Sequence, residues 1–217
     1  MKKIIVLGGS GIGMSVASIV EQDNNARMLG FLNDVEPVGS CIGRYTQIPV
    51  IGRTEDITKY LEDKDIYFFI AYVGMLHERE VYEKIMSLPI PLSRYYSAIH
   101  STAVYPSGFC KIGKGVLLTA FSQVGVDTEI SDNCMLLANS YVGHDSFLDR
   151  FAHIATNAVV GANVHVGKAV HIGSNATVKE KVYIGDFSLI GAGAVVLKDV
   201  PAGSVVVGNP ARVLRIN

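Results

Sequence analysis

His144-Asp145 is the pair in this chain best equipped to move a proton. An imidazole titrates near neutral pH and can serve as a general base. An adjacent carboxylate can fix its tautomer and stabilise the imidazolium that forms. Such a pair is weak evidence alone, because an exposed corner pair is its ordinary meaning. A second motif stands near the N-terminus, where the β-branched run Lys3–Leu7 ends in Gly8-Gly9-Ser10-Gly11-Ile12-Gly13. A helical pattern follows over 14–21, and Asn33-Asp34 closes a second strand over 28–32. Backbone N–H groups at such a strand-loop-helix junction can bind a phosphate or a sugar. Gly9 and Gly11 give the first two glycines of G-x-G-x-x-G, but Met14 takes the third place. The strand-helix alternation also stops after about ninety residues, short of a full dinucleotide fold. A nucleotide-sugar loop is therefore preferred over a tight turn alone and over a dinucleotide site.

The other reactive side chains have blander readings. His153 and His171 stand one coil apart on one face of the repeat described below, and His165 shares their phase on an adjacent face. Stacked histidines suggest a metal, but no cysteine or carboxylate completes a ligand set, so no metal is expected. His100, His165 and His171 read as surface or subunit-contact residues, and His77 as helix surface. His171, which lacks an acidic neighbour, is expected to be a bystander. The three cysteines, Cys41, Cys110 and Cys134, are odd in number and lack metal-like spacing, against a disulfide framework or zinc. Cys134 reads as core filler.

The element that carries His144 is written in a strict period. From Ile112 to Val196 an aliphatic residue falls at every sixth position, fifteen times without a slip. A period of six fits neither an amphipathic helix nor a plain sheet. It is the signature of a hexapeptide β-helix, in which each aliphatic residue points into a narrow prism. Four residues after each one stands a small or modest side chain, as in Ser122, Cys134, Ser146 and Ala158, a second inward position. The residue after the aliphatic one is often glycine, as in Gly125 and Gly143, which suits a corner needing unusual backbone conformations. His144 lies two residues past Val142 and therefore points outward from a corner. Three hexads per coil give five coils with no inserted loop.

The whole fold class is thus an α/β N-terminal Rossmann-like βαβ domain followed by a parallel β-helix of hexapeptide repeats. The expected domains are 1–92, a small nucleotide-sugar-binding domain; 97–203, the β-helix with an irregular corner near Pro106; and 204–217, a C-terminal cap over the open prism. Short helices are expected from Thr54 to about Leu61 and from His77 to Ser87, with a buried strand over 66–71. With 217 residues, 49% of them hydrophobic, the chain can bury a sizeable core. A net charge of −1 without basic blocks leaves no footprint for nucleic acid. No apolar run approaches the ~20 residues of a membrane helix, and no signal-peptide core is present, so a cytoplasmic protein is expected.

The chain resembles the sialic-acid O-acetyltransferase-like (NeuD/PglD-type) family of left-handed β-helix acyltransferases, above all the bacterial N-acetyltransferases of UDP-4-amino sugars. The markers are the N-terminal I-x-V-x-G-G-S-G stretch, Phe31-Leu32-Asn33-Asp34, the segment from Asn139 to His153, and Val207-Gly208-Asn209-Pro210-Ala211. The resemblance implies a homotrimer with acetyl-coenzyme A in a groove between two solenoids and the nucleotide sugar in the N-terminal domain. It implies His144 as general base, Asp145 as the neighbouring acid, and His153 in the thioester pocket. It implies that the backbone at Ala162, Ser174 and Ala192 lines the coenzyme channel. It places Asn33 and Asp34 beside the acceptor, and the loop through Gly9, Ser10, Gly11 and Ile12, with Ala71-Tyr72-Val73-Gly74, against the nucleotide. Ile12 departs from the family, which usually has histidine there.

The function so implied is acetyl transfer from acetyl-CoA to the amine of a nucleotide-linked amino sugar, such as a UDP- or dTDP-4-amino-dideoxy sugar, in glycan biosynthesis. Attack is direct, since no serine or cysteine stands as a convincing nucleophile. Two alternatives remain: O-acetylation of sialic acid or another sugar hydroxyl, and a non-catalytic trimeric scaffold that binds a sugar nucleotide.

Overall fold

The computed structural model describes residues 1–72 and 79–216. The chain divides into two compact units.

The first unit is built on β1 (Lys2–Leu7), α1 (Ile12–Val20), β2 (Ala26–Leu32), β3 (Cys41–Ile42), β4 (Ile48–Gly52), α2 (Ile57–Leu61) and β5 (Ile66–Ile70). Its sheet runs in the order β3-β4-β2-β1-β5. β1, β2, β4 and β5 are parallel, and β3 turns back antiparallel onto β4. The central strand is apolar on both faces: Ile4, Ile5, Val6 and Leu7 are fully buried. Continuous apolar strands are what a parallel sheet with both faces covered requires. Helix α1 closes on the sheet at Gly13, where a Cβ would lie 3.2 Å from Phe31 Cε1 and 3.6 Å from Val6 Cγ1. The close helix–strand packing that the third fingerprint glycine provides is thus done one residue early, and Met14 is free of that duty. The β3–β4 hairpin carries no clear sequence signal and was not expected.

The second unit is the left-handed β-helix, with strands of two residues each. Its first face stacks Lys111–Ile112, Glu129–Ile130, Phe147–Leu148, His165–Val166 and Tyr183–Ile184 in parallel. The second runs from Leu117–Leu118 through Met135–Leu136, His153–Ile154 and His171–Ile172 to Leu189–Ile190. The third runs from Gln123–Val124 through Tyr141–Val142, Val159–Val160 and Thr177–Val178 to Val195–Val196. Partners are eighteen residues apart throughout, for example Ile130 with Ile112 and Ile172 with Ile154, so three hexads make one coil. Every second inward residue from Val116 to Val200 is buried, and so is every aliphatic one except Ile112, at the open end. Ser204–Val207 then joins the second face, and Arg212–Ile216 folds back antiparallel upon it.

The corner glycines work differently from the expectation. Gly125 and Gly143 do not have positive φ. A Cβ on Gly125 would stand 2.5 Å from the His144 backbone nitrogen, and one on Gly143 would stand 2.6 Å from that of Ala162. These glycines are required by the close approach of the next coil. The left-handed position lies two residues later, where Asn133, Asp145, Phe151 and Asn157 have φ of 59, 56, 60 and 59°. Asn and Asp tolerate that region best among non-glycine residues.

Helix α3 (Arg79–Met86) falls within the expected 1–92 span but groups with the solenoid. Its Tyr82 meets the rings of Phe151 and Phe187 edge-on, at 5.5 and 5.4 Å between centroids. Ala169, buried and with the same left-handed backbone, stands between Phe151 and Phe187 in that corner column. The start of the expected helix from His77, His77 itself, and Val73-Gly74 lie outside the described residues.

Candidate active site

The corner between the third and first faces carries His144 and Asp145. The left-handed backbone at Asp145 swings its carboxylate back toward the preceding residue. Asp145 Oδ2 lies 2.5 Å from His144 Nδ1. An ionised carboxylate only accepts, so Nδ1 carries the hydrogen and Nε2 keeps the lone pair. Both side chains are about half exposed, at 54% and 51%. The corner is fixed from both sides: the Asp145 N–H donates to the Val126 carbonyl, and the Asn163 N–H donates to the His144 carbonyl. The arrangement is a solvent-facing imidazole whose ring is oriented by the neighbouring carboxylate.

His153 lies on the second face and is buried, 9% exposed. Burial, with the neighbouring His171 adding to it, pushes its pKa down to about 3. The ring is therefore neutral at physiological pH. Its Nδ1 is 2.8 Å from His171 Nδ1, and its Nε2 is buried without a hydrogen-bond partner. His171, expected to be a bystander, is thus in direct contact with a candidate site residue. His165 is sandwiched between Phe147 and Tyr183, with centroids 5.0 and 4.7 Å away. The His100 ring nitrogen Nδ1 accepts from the Thr102 N–H at 3.2 Å.

The candidate coenzyme residues fall on two corners. Ala162 stands one coil from His144 on the same corner, since its backbone nitrogen packs against Gly143. Ser174 and Ala192 stack on the corner between the second and third faces, the latter packed against Gly173. That column is of small residues, with Ala120, Ala138 and Thr156 below.

In the first unit, the carboxyl ends of four parallel strands bring the remaining candidates to one edge. β1 ends at the Gly8–Gly11 loop, β2 at Asn33-Asp34, β4 at Arg53-Thr54 and β5 at Ala71-Tyr72. β2 and β4 lie to one side of β1 and β5 to the other. The crevice at such a reversal is where open parallel sheets bind ligands. Gly8 approaches Ala71 there, its absent Cβ 3.4 Å from the Ala71 carbonyl carbon. A Cβ on Gly9 would stand 2.5 Å from Ile42 Cδ1 and 2.7 Å from Asn33 Nδ2, so both of those side-chain ends would have to shift. Ser10 and Gly11 are exposed, and no side chain caps α1 at Gly11. Ile12, at the first turn of α1, is half-buried.

Asn33 is largely committed to local structure: its Oδ1 accepts from the Val35 and Glu36 N–H groups at 2.8 Å each. Asp34 Oδ1 accepts the Thr54 N–H at 2.8 Å. The Thr54 and Tyr72 hydroxyls lie 3.1 Å apart. Burial pushes the Tyr72 phenol above its ordinary pKa, opposed by the Thr54 bond and supported by the Asp34 charge. Arg53 Nη1 donates to the carbonyls of Asn33 and Asp34 and so ties two strand ends together. Arg53 and Thr54 were not singled out as site residues. Only the strand order, which puts β4 beside β2, could have pointed to them.

Among the described residues, no group of three or more His, Cys, Asp or Glu side chains is placed to hold a metal. No helix among them is long and apolar enough to cross a membrane.

Residues 3–85 match the PglD N-terminal domain family, and residues 163–198 match the bacterial transferase hexapeptide (six repeats). Among solved structures, the acetyltransferase domain of PglB from Neisseria gonorrhoeae FA1090 is similar at 27% identity, over 99% of this chain and 100% of that one, with a TM-score of 0.81. The same domain in complex with acetyl coenzyme A gives 28% identity over 98% and 99% of the two chains, and a TM-score of 0.80. A mutant of GDP-perosamine N-acetyltransferase from Caulobacter crescentus, in complex with CoA and GDP-perosamine, shares the fold at 23% identity, over 99% and 98% of the chains, with a TM-score of 0.85. No curated protein sequence matches the chain.

Proposed function

From the premise that a PglD N-terminal domain on hexapeptide transferase repeats makes this chain a PglD-type sugar acetyltransferase, we propose that it moves an acetyl group from acetyl-CoA to the amine of a nucleotide-linked amino sugar. The observation that carries the chemistry is the His144–Asp145 pair, with Nδ1 held at 2.5 Å and Nε2 left as an outward-facing base. The amine nitrogen attacks the thioester carbon while His144 Nε2 takes its proton. The tetrahedral intermediate collapses, the C–S bond breaks, and the imidazolium returns the proton to the departing thiolate. Asp145 stabilises the imidazolium between those steps. No acyl-enzyme forms on the protein, in keeping with the buried Cys134 thiol, whose pKa burial pushes far above the ordinary range.

The acceptor lies at the carboxyl edge of the first unit's sheet, against Gly9, Ser10, Gly11, Ile12, Asn33, Asp34 and Tyr72. Backbone N–H groups at the start of α1 hold its phosphates. His153 lines the thioester pocket, and the backbone at Ala162, Ser174 and Ala192 lines the coenzyme channel. Because those residues fall on two different corners, a groove between two solenoids accounts for them better than one face does, which favours a homotrimer. The protein works in the cytoplasm, where acetyl-CoA and nucleotide sugars are found.

The test is an acetyl-transfer assay with UDP-, dTDP- and GDP-linked 4-amino sugars set against free sialic acid. Acetylation of one nucleotide amino sugar is expected. Acetylation of sialic acid alone would reassign the enzyme to hydroxyl chemistry, and no binding of coenzyme A would reassign the chain to a scaffold.

A further inference from the structure

At the carboxyl edge of the first unit's sheet, two hydroxyls meet across the strands. Thr54 follows the end of β4 and Tyr72 follows the end of β5, and β2 and β1 lie between those strands in the sheet. Neighbouring strands lie about 4.8 Å apart, so three intervals separate β4 from β5 by about 14 Å. Yet Thr54 Oγ1 and the Tyr72 hydroxyl oxygen are 3.1 Å apart. The two side chains therefore close over the ends of β2 and β1, across the crevice where the strand order reverses. The strands are already joined by their own backbone pairing, so this clasp is an addition at the mouth of the crevice.

Asp34 stands beside the clasp. Its Oδ1 accepts the Thr54 N–H at 2.8 Å, and Arg53 Nη1 donates to its carbonyl, so carboxylate and backbone are both held. The residue is exposed, and no described group donates to its Oδ2. An ionised carboxylate can only accept. The clasp has the opposite need. Two hydroxyls joined by one hydrogen bond use one of their two hydrogens, and no described group takes the other. Tyr72 keeps its hydrogen at neutral pH, because burial pushes the phenol above its ordinary value. A hydrogen-bond acceptor and a donor thus stand side by side at the end of β2. Two adjacent hydroxyls of one ligand satisfy both: one donates to Asp34 Oδ2 while the other accepts from the clasp.

We propose that Asp34 and the Thr54–Tyr72 clasp bind the ribose diol of the nucleotide sugar, and that they select a ribonucleotide over its 2′-deoxy counterpart. This rests on the nucleotide-sugar reading above and narrows it. Position assigns the diol to the ribose and not to the hexose. Where a glycine loop follows the first strand of a parallel sheet, an acidic residue at the end of the second strand meets a ribose hydroxyl, and the phosphates lie at the loop. The loop from Gly8 to Gly11 and Asp34 hold those two places here. A 2′-deoxy nucleotide offers only one of the two hydroxyls. One polar group of the site then loses water without gaining a partner, and a site built to bond a hydroxyl rejects the analogue that lacks it.

The experiment is calorimetric titration of the full-length protein with UDP, dUDP, GDP and dGDP. For the base that binds, the ribose form is expected to bind about tenfold or more tightly than its 2′-deoxy partner, the scale of a hydrogen bond to a charged group. Thr54→Val keeps the backbone N–H to Asp34 but removes the hydroxyl, and the ratio of the two dissociation constants should fall toward one. Tyr72→Phe should do the same, and Thr54→Ser, which keeps a hydroxyl, should hold the ratio. A substitution that merely loosens the fold weakens both nucleotides alike and leaves their ratio unchanged. Equal affinities for the ribose and deoxyribose forms in the unaltered protein would overturn the proposal while leaving the nucleotide-sugar reading in place. An unchanged ratio in folded Thr54→Val and Tyr72→Phe would also overturn it. If acetyl-CoA binds but none of the four nucleotides does, the nucleotide-sugar reading fails and the proposal falls with it.

Discussion

The solenoid and the N-terminal sheet position polar side chains by opposite means. In the solenoid a residue's phase in the hexad fixes its surroundings before its neighbours are considered. His144, two places past Val142, is at a corner and half exposed; His153, one place before Ile154, is on a face and buried. Each is held by a backbone that repeats every eighteen residues. In the sheet, the candidates sit at the ends of four strands, where no repeat fixes them. They are held by cross-links between loops: Asn33 Oδ1 to its own turn, Asp34 to Thr54, and Arg53 to both strand-end carbonyls. A substitution in the solenoid should therefore act locally, and one in the sheet should spread.

The largest expected effect tests the local half of that contrast. His144→Ala should lower kcat by about 10²–10⁴-fold, the usual worth of a general base. Because the side chain faces solvent, the melting temperature and KM for acetyl-CoA should hardly move. A loss under about tenfold would remove His144 from the role of base. A large fall in melting temperature would show that this corner is not independent of the prism.

The distributed half is tested at Arg53. Arg53→Met keeps much of the side chain's apolar bulk but removes the donor to two carbonyls. Hydrogen bonds of a charged group contribute about 1.5–3 kcal/mol. The loss should appear both as lower stability and as a raised KM for the nucleotide sugar, with kcat nearly unchanged. If only stability falls, Arg53 props the sheet and has no bearing on the site.

How far the sequence could be read follows the same division. A period of six with fifteen aliphatic hits leaves one packing solution, so coil length, inward positions and the outward aim of His144 were all legible. The reason for the corner glycines was not. Asn, Asp, Phe, Lys and Ala share the left-handed position, which hides it, while the contact that excludes a Cβ at Gly143 comes from the next coil, nineteen residues on at Ala162. The contact of His171 with His153 was half legible: the stacking was foreseen, but only the ring orientations join the two Nδ1 atoms. In the sheet the loop glycines were visible, whereas Arg53 gained its meaning only when β4 was placed beside β2.

A third expectation concerns acid. His153 has a pKa near 3 in the fold, against an ordinary 6.5. Between those values the unfolded chain binds a proton that the folded chain refuses, so unfolding is favoured as pH falls. The stabilising effect of keeping this ring neutral is full above pH 6.5 and declines below it, by at most about 1.4 kcal/mol per pH unit. Carboxylates such as Asp63, held low chiefly by its bond to Lys3, act further down, below 3.8. Denaturant midpoints from pH 7 to pH 4.5 should therefore slope less in His153→Gln than in the unaltered protein. Parallel slopes would mean that the ring reaches solvent and titrates normally.

The smallest expected effect is at Ile12, beside the proposed acceptor site. Its half-buried side chain begins α1 beside the exposed Ser10 and Gly11. Isoleucine can offer no hydrogen bond, and a polar group of the substrate buried against it would go unpaired at a cost. An acceptor suited to it presents an apolar group there, such as the methyl of a 6-deoxy sugar. In the opposite case Ile12 only packs beneath the first helix and meets no ligand. Ile12→His separates the two. If the side chain shapes the pocket, KM should rise several-fold for a 6-deoxy amino-sugar nucleotide and less for its 6-hydroxy counterpart, on the scale of one neutral hydrogen bond, about 1 kcal/mol. KM for acetyl-CoA should not change, because the solenoid is untouched. Equal acceptor kinetics in a folded variant would assign Ile12 to packing, and the loop from Gly8 to Gly11 would then act through its backbone alone.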